Sequence, residues 1–238
     1  MLLQDNMNTV ARQEKKYLIG TEEAYKLNHY LSSLLTGDKH NGLSGYMVRS
    51  LYFDTIYDND FNDKVEGVEL RRKIRLRVYN ADDEFALLEM KQKEGMNQLK
   101  RSLRVTRKEA EELSKRNYSV LLNHKEDFAK ECYAIMNMQC YLPKTIVQYN
   151  RKAFVAKENN TRITIDSNIL STETCFNLFD KSLNLYPVFN KDNIVLEVKY
   201  DGFLLGYIKD ILESVNKSEL SMSKYCLGRT ITKNYLYK

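Results

Sequence analysis

The sequence predicts an α+β protein in which a single antiparallel β-barrel carries its helices on the outside. Three observations predict this class. Segments in which polar and apolar side chains alternate recur along the whole chain, which is typical of half-buried strands. Segments with helical spacing are fewer and lie between them. With only 2 Pro and 9 Gly among 238 residues and 43% hydrophobic residues, the chain has no linker-rich stretch and enough apolar surface for one core. We therefore expect one domain over residues 1–238, closed into a barrel that leaves no exposed sheet edge.

The strands follow from the two-residue period of their side chains. They are predicted over residues 10–19, 46–53, 70–79, 85–93, 98–105, 145–157, 162–166 and 194–200. Gly95 lies in the hairpin that joins the fourth and fifth of these strands.

The helices follow from apolar residues at helical spacing and from capping residues. Helical segments are predicted over residues 21–35, 106–115, 125–138, 203–215 and 219–230, with room for a short helix within 54–67. Thr21 is predicted to cap the first of them, because Glu22 and Glu23 follow in its positive first turn. Thr106 and Glu109 form the pattern of a capping box at the second.

One strand carries an unusual charge pattern. Lys73, Arg75 and Arg77 alternate with three aliphatic residues, so one face of this strand is purely cationic. Residues 71–107 contain eleven Lys and Arg against five Asp and Glu, whereas the whole chain has a formal net charge of +5. The middle of the chain thus carries the entire excess, which favours a polyanionic ligand.

Other strands also have charged faces. These faces comprise Arg12, Glu14 and Lys16; Glu89, Lys91 and Lys93; Lys100, Ser102 and Arg104; Arg162, Thr164 and Asp166; and Glu197 with Lys199. Such faces suit either the solvated side of a sandwich or the interior of a barrel. The prominence of Arg and the acids placed singly among bases favour the interior. Arg contacts phosphate oxygens in pairs, and carboxylates hold Mg²⁺ or Mn²⁺ together with phosphates.

Several other classes of protein are not expected. The four cysteines form no C-x-x-C pair and have no histidine at zinc-ligand spacing, which fits a reduced cytosol. The N-terminus lacks the basic and apolar regions of a signal peptide, and no apolar run approaches the roughly 20 residues of a membrane span. Nucleic-acid binding is not expected either. Trp is absent, and most of the 17 Tyr and 9 Phe fit core positions rather than base-stacking ones.

Short motifs in a fixed order point to a family. They are Arg12-Gln-Glu-Lys-Lys-Tyr, Ser50-Leu-Tyr-Phe-Asp-Thr, Ile74-Arg-Leu-Arg-Val-Tyr, Leu88-Glu-Met-Lys, Gln98-Leu-Lys-Arg, Gln148-Tyr-Asn-Arg, Thr161-Arg-Ile-Thr-Ile-Asp, Leu196-Glu-Val-Lys and Ser223-Lys-Tyr. In this order the chain resembles the VTC domain, the polyphosphate polymerase domain of the eukaryotic vacuolar transporter chaperone complex. That domain is one of the triphosphate tunnel metalloenzymes, which include the CYTH phosphatases. The resemblance runs from Arg12 to Gly228.

The resemblance implies a closed barrel of about eight strands, whose tunnel holds a nucleoside triphosphate or polyphosphate with Mn²⁺ or Mg²⁺. The phosphate-binding residues that it implies are Lys16, Arg75, Arg77, Lys91, Lys100, Arg151, Arg162, Lys199 and Lys224, with Tyr149 helping to position the chain. Glu197 matches the metal-binding carboxylate. Glu14 and Glu89 either bind metal or orient a neighbouring base. Further phosphate contacts are expected from Arg12, Lys73, Arg101 and Arg104. Lys224 lies in the C-terminal helix, which would close one end of the tunnel.

The implied activity is transfer of the γ-phosphate of ATP to a growing polyphosphate chain. The alternatives are a triphosphatase of the same fold and a non-catalytic polyphosphate-binding module. CYTH triphosphatases begin with Glu-x-Glu-x-Lys, whereas this chain has Arg12-x-Glu14-x-Lys16, which replaces a metal ligand by a base and favours the polymerase. The eukaryotic VTC domain is fused to an SPX domain and membrane helices, neither of which is seen here. We expect a cytoplasmic protein, and a separate membrane partner and the oligomeric state stay open.

Overall fold

The computed structural model describes residues 12–95, 97–221 and 223–236, and confirms the α+β class. Its strands all belong to one antiparallel sheet. They are β1 (Arg12–Ile19), β2 (Thr36–Gly37), β3 (Tyr46–Thr55), β4 (Arg71–Val78), β5 (Phe85–Glu94), β6 (Asn97–Thr106), β7 (Tyr141–Val155), β8 (Arg162–Thr172), β9 (Tyr186–Pro187), β10 (Ile194–Asp201) and β11 (Ser218–Glu219). Eight of these strands have eight or more residues, which matches the predicted number.

The helices lie between the strands in sequence. They are α1 (Thr21–Leu34), α2 (Asn59–Val65), α3 (Arg107–Ser114), α4 (Asp127–Met138), α5 (Gly206–Glu213) and α6 (Lys224–Leu236), with short 3₁₀ turns at Tyr118–Asn123 and Glu158–Asn160. No helix in the part of the chain that the structure describes combines the length and apolar composition required to cross a bilayer.

The sheet is strongly curled but not closed by hydrogen bonds. Its strand order is β11-β1-β10-β8-β7-β3-β4-β5-β6, with β2 beside β7 and β9 beside β8. Within the described residues β6 and β11 are the two edges of the sheet, and they are not paired with each other. The sheet is therefore an open, curled barrel rather than the predicted closed one. The curl nevertheless brings β1 opposite β5, because Lys91 on β5 contacts Glu14 on β1.

Two apolar cores lie on the convex side of the sheet. One is formed by β3–β6 with α3, α4 and the 3₁₀ turn between them, and includes Leu76 and Leu88. The other is formed by β1, β8 and β10 with α1 and α5, and includes Ile163 and Leu196. Because side chains alternate between the two faces, the residues next to these core positions point to the concave side.

The concave side has a smaller apolar cluster where α6 enters it. Tyr225 and Cys226 of α6 pack there against Tyr52, Val147 and Tyr149. Helices therefore cover the convex face, as predicted, while α6 fills part of the concave face.

Several element boundaries differ from the predicted ones. β7 begins at Tyr141, and the register between β3 and β7 shifts where Pro143 opposes Phe53 and Thr145 opposes Tyr52. This bulge accommodates a proline that would otherwise remove a ladder hydrogen bond. β8 continues to Thr172 through a second irregularity opposite Gln148 and Asn150.

The helix termini test the predicted caps. The capping box at Thr106 and Glu109 is confirmed by both of its hydrogen bonds. The prediction that Thr21 caps α1 is wrong, because the N-cap is Gly20 and Thr21 is the first helical residue. Helix α5 is shorter than expected, and α6 begins at Lys224 rather than at residue 219.

Candidate functional site

Ionised side chains line the concave face of the sheet. Each of them alternates along its strand with residues of the two convex cores, or lies at the start of α6. The bases are Lys16, Lys73, Arg75, Arg77, Lys91, Lys100, Arg151, Arg162, Lys199 and Lys224, and the acids are Glu14, Glu89, Asp166 and Glu197. We call this set the concave cluster. Bases outnumber acids in it, as an anionic ligand would require.

Glu89 on β5 is the centre of one group within the cluster. The Nε atoms of Arg75 and Arg77 lie 2.7 and 3.5 Å from its Oε2. Lys100 on β6 forms an ion pair with its Oε1. Burial raises the pKa of Glu89, but the three bases outweigh burial and lower the pKa to about 2. Glu89 therefore stays ionised and orients these three bases.

Tyr52 on β3 adds a phenol hydroxyl to the group around Arg75. Its hydroxyl accepts a hydrogen bond of 3.2 Å from Nη1 of Arg75. The ammonium of Lys73 lies 6.0 Å from the centre of the Tyr52 ring and 5.9 Å from that of Tyr225. Burial lowers the pKa of Lys73 to about 8. Lys73 thus lies in the cluster, as expected, but faces two aromatic rings there.

Glu14 on β1 and Glu197 on β10 form a second group with the lysines around them. Glu197 pairs with Lys199, and Nζ of Lys16 lies 4.0 Å from its second oxygen. Glu14 pairs with Lys16 and accepts from Lys91 at 3.0 Å. Burial and the adjacent Glu197 raise the pKa of Glu14, but the lysines lower it to about 2. The pKa of Glu197 is likewise held well below its usual range.

Asp166 on β8 joins the third group, and it was not predicted as a site residue. Its two oxygens accept hydrogen bonds of 2.7 Å each from Nε and Nη2 of Arg151. Nζ of Lys224 lies 2.7 Å from Oδ2 of the same carboxylate. The Tyr149 ring lies under both bases, 5.2 Å from Arg151 and 4.9 Å from Lys224. The signal in the sequence was the shared strand face of Arg162 and Asp166.

Helix α6 closes one end of the concave face. The hydroxyl of Tyr225 donates to Oδ2 of Asp54 at 2.5 Å. A Cβ at Gly228 would lie 2.6 Å from Cγ2 of Val147, so only glycine allows the helix this close to β7. Lys224, at the start of the helix, is thereby presented to Asp166 and the cluster. The resemblance implied a place for Lys224 in the C-terminal helix, where the structure has it, and its contact with phosphate stays a prediction.

Not every predicted phosphate contact joins the cluster. Arg101 lies on the convex face, where it pairs with Glu131 of α4 and covers the Phe128 ring at 5.1 Å, so the prediction that it contacts phosphate is not supported. Its neighbours Lys100 and Ser102 point the other way because the strand alternates. Arg104 lies on the concave side but is exposed, 3.7 Å from the centre of the Phe85 ring. The side chain of Arg12 lies outside the described residues.

The donor set fits a hard divalent cation at Glu14 and Glu197. Both carboxylates stay ionised, and Lys16 and Lys199 each contact both of them, so the two lie side by side. Within the described ranges no three His, Cys, Asp or Glu side chains converge on one point. Two carboxylates that share an ion with substrate phosphates are the usual arrangement for Mg²⁺. Among the described residues, the three bases that contact Glu89 contact no second carboxylate, so Glu89 suits an orienting role instead.

A cavity of about 410 Å³ lies elsewhere, on the convex side beside β1, β10 and α5. Lys15, Tyr17 and Phe203 are among its lining residues, and it contains none of the concave cluster. The candidate site is therefore the charged concave face, and not this cavity.

Comparisons with known proteins agree with the family that the motifs predicted. A family model described as the VTC domain matches residues 11–233. No curated protein matches the sequence.

Among solved structures, a candidate adenylyl cyclase from Hippeastrum, reported to have a dominant triphosphatase activity, has a similar fold. The identity is 13%, the alignment covers 91% of this chain and 94% of that one, and the TM-score is 0.55. A candidate adenylate cyclase from Bacillus halodurans aligns at 14% identity over 90% of this chain and 95% of that one, with a TM-score of 0.48. At this identity the Hippeastrum protein supports the fold alone. Because the family model covers nearly all of the sequence, the chain belongs to the VTC domain family.

Proposed function

We propose that this chain is an ATP-dependent polyphosphate polymerase. The observation that carries the proposal is the concave cluster, in which bases from seven long strands and α6 surround a few ionised carboxylates. Phosphoryl transfer requires positioned charge more than a protein nucleophile, and this cluster supplies such charge. Guanidinium groups make bidentate contacts with phosphate oxygens, and the cluster offers those of Arg75, Arg77 and Arg151.

In the proposed reaction, a terminal oxygen of the polyphosphate chain attacks the γ-phosphorus of ATP. The bond between that phosphorus and the β–γ bridging oxygen breaks, and ADP leaves with the electron pair. The chain gains one phosphate. Arg75 and Arg77 on one wall, and Arg151 and Lys224 on the other, would hold donor and acceptor phosphates in line. Helix α6 would limit the access of water to the reacting phosphate from its end.

Glu14 and Glu197 would hold the divalent cation. When bound, Mn²⁺ or Mg²⁺ supplies positive charge to the oxygens of the transferring phosphate. Lys16 and Lys199, which contact both carboxylates, would keep them ionised and in place.

A triphosphatase is the second candidate. It is favoured by the dominant triphosphatase activity reported for the Hippeastrum protein of similar fold. The polymerase is favoured by Arg12, which stands where triphosphatases of this superfamily have the first carboxylate of their opening motif. An arginine in place of that acid removes a metal ligand, which weakens the activation of water, and it adds a contact for phosphate.

The test is to incubate the full chain with ATP and Mn²⁺ and to separate the products on a gel that resolves long polyphosphate. Long chains together with ADP would support the polymerase. If free phosphate is the only phosphorus-containing product besides ADP, the polymerase proposal is wrong and the protein is a triphosphatase. Tight polyphosphate binding without any turnover of ATP would leave a binding module.

We propose further that the protein works in the cytoplasm, and that a separate membrane protein would receive its product. Pull-down of a tagged chain from a detergent-solubilised membrane fraction, compared with the soluble fraction, tests this partner. Recovery of the chain alone from both fractions would contradict it.

A further inference from the structure

The end of the concave face opposite α6 carries a group of aromatic rings. Tyr46 at the start of β3 lies 6.1 Å, centre to centre, from Tyr79, which follows β4. His40, in the loop before β3, lies 6.1 Å from Tyr46 at an angle of 65°. Phe85 begins β5 beneath the guanidinium of Arg104. We call Tyr46, Tyr79, His40 and Phe85 the aromatic mouth.

Strand register places the aromatic mouth on the same face as the concave cluster. Tyr46 pairs with Arg151 across β3 and β7, so both side chains lie on the concave side. Tyr79 directly follows the end of β4, and its ring contact with Tyr46 places it on the same side. The hydroxyl of Tyr46 accepts a hydrogen bond of 3.3 Å from Nη2 of Arg162. The rings thus continue directly from the proposed phosphate-binding bases.

Core packing does not account for these rings. Tyr79 is 41% exposed, and His40 and Arg104 are also exposed. None of the four rings belongs to the two convex cores, and only Tyr46 touches the concave apolar cluster, from its edge. A group of rings that are exposed or half-buried, with an arginine beside it, presents π-faces and a planar cation, and both stack on bases of any sequence.

We propose that the aromatic mouth stacks on the nucleobase of the nucleoside triphosphate whose phosphates lie in the concave cluster. The proposal deepens the proposed function and rests on its nucleotide donor. Charge separates the two parts of the ligand. The triphosphate is drawn to the bases deep in the cluster, while the uncharged base and sugar remain at the end that α6 leaves open. Recognition by stacking accepts any purine, so the mouth would raise affinity for nucleotides over inorganic triphosphate without strict selection of adenine.

The test compares ATP with tripolyphosphate, which has the phosphates but no base. We expect Tyr79→Ala to weaken ATP binding by about 10-fold in calorimetry, since stacking contributes at this level per base. Binding of tripolyphosphate should change by less than about 2-fold. Tyr207→Ala is the matched control, because Tyr207 is 43% exposed on α5, away from the mouth. Tyr46→Phe keeps its ring and loses only the hydroxyl, so it should retain most of the ATP affinity.

A fluorescent base reports stacking directly. The triphosphate of 2-aminopurine riboside should be quenched on binding to the wild-type chain and to Tyr46→Phe, and should recover its fluorescence with Tyr79→Ala. Equal weakening of ATP and tripolyphosphate, or no change in either, would overturn the proposal. So would bound 2-aminopurine that is not quenched. Failure to make polyphosphate would reject the polymerase alone, because binding and quenching are measured without turnover.

Discussion

Lys91 on β5 reaches across the concave face to Glu14 on β1, and its Nζ lies 3.0 Å from Oε2 of the carboxylate. Five strands separate these two in the order of the sheet, so the contact exists only because the sheet curls. Glu14 also contacts Lys16 and Lys199. A phosphate chain in the tunnel would compete with Glu14 for the same ammonium groups.

Glu14→Gln should therefore strengthen the binding of tripolyphosphate in the absence of metal and weaken the binding of the metal itself. Without a divalent cation, tripolyphosphate should bind about 10-fold more tightly, because a nearby negative charge has been removed. With Mn²⁺, the concentration that supports half-maximal binding should rise, because one of two carboxylate ligands is lost. Calorimetric titrations of tripolyphosphate and of Mn²⁺ measure both effects. Glu112→Gln, which alters a half-buried acid of α3 that is paired with Lys115 and lies away from the cluster, is the control. Weaker binding of metal-free tripolyphosphate would show that Glu14 has another role.

Replacing Arg75 and Arg77 together by Ala should abolish phosphoryl transfer. We expect kcat/KM for ATP to fall by at least about 100-fold, since two charge-assisted contacts to phosphate are lost. Arg101→Ala is the matched control. It removes an arginine from β6, two strands along the same sheet, that also pairs with a glutamate but lies on the convex face. Normal turnover of ATP by the double variant would refute the assignment of the concave cluster as the site.

Because Glu89 loses two partners in that double variant, folding must be checked separately. Arg75→Lys keeps the charge beside Glu89 but loses the bidentate geometry. We expect it to retain the cooperative unfolding transition of the wild type and to show a smaller loss in kcat/KM.

Asp166→Asn should destabilise the protein and make its stability depend on phosphate. The variant leaves the buried bases Arg151 and Lys224 without their shared carboxylate. Removal of one partner from such a group costs on the order of 3–5 kcal/mol. Tripolyphosphate can replace the missing anion, so the increase in Tm that it produces should be larger in the variant than in the wild type. Asp127→Asn, at an exposed acid of α4, should change neither value. Equal increases in Tm would contradict the placement of phosphate beside these bases.

Asp60 predicts a dependence of stability on pH. Burial, and then the charge of Asp54, raise the pKa of Asp60 to about 7, and Tyr141 donates to its Oδ2 at 2.9 Å. Its pKa when folded is above the value when unfolded, so the folded protein binds more protons between about pH 4 and 7. The free energy of unfolding should therefore decrease as the pH rises through that window. This group's contribution is complete below about pH 4 and lost above about pH 7.

Asp60→Asn should remove this dependence. Between pH 4 and pH 8, the free energy of unfolding of the variant should rise relative to that of the wild type by on the order of 3 kcal/mol, at 1.36 kcal/mol for each pKa unit. Urea unfolding at the two pH values, with Asp63→Asn as a neighbouring control, measures the difference. If the difference in unfolding free energy between the variant and the wild type is the same at both pH values, Asp60 is already ionised at pH 4.

The sequence predicted the strands whose faces differ most in character. β4 was recognisable because Arg75 and Arg77 alternate with aliphatic residues that fill a convex core. α3 was recognisable from its capping box, a local interaction within four residues. The full length of β7 was not, because its first residues pair with β3 through a bulge at Pro143 that depends on a distant strand.

By itself, the sequence determined which residues share a face, because the two-residue period of a strand is a local property. It thereby identified almost all of the bases in the concave cluster. Only the tertiary structure decided which residues meet across that face. The curl of the sheet brought Glu14 to Lys91, and the packing of Gly228 against Val147 brought Lys224 to Asp166. These contacts join residues far apart in the chain, and they depend on sheet curvature and helix packing, which no local pattern of residues encodes.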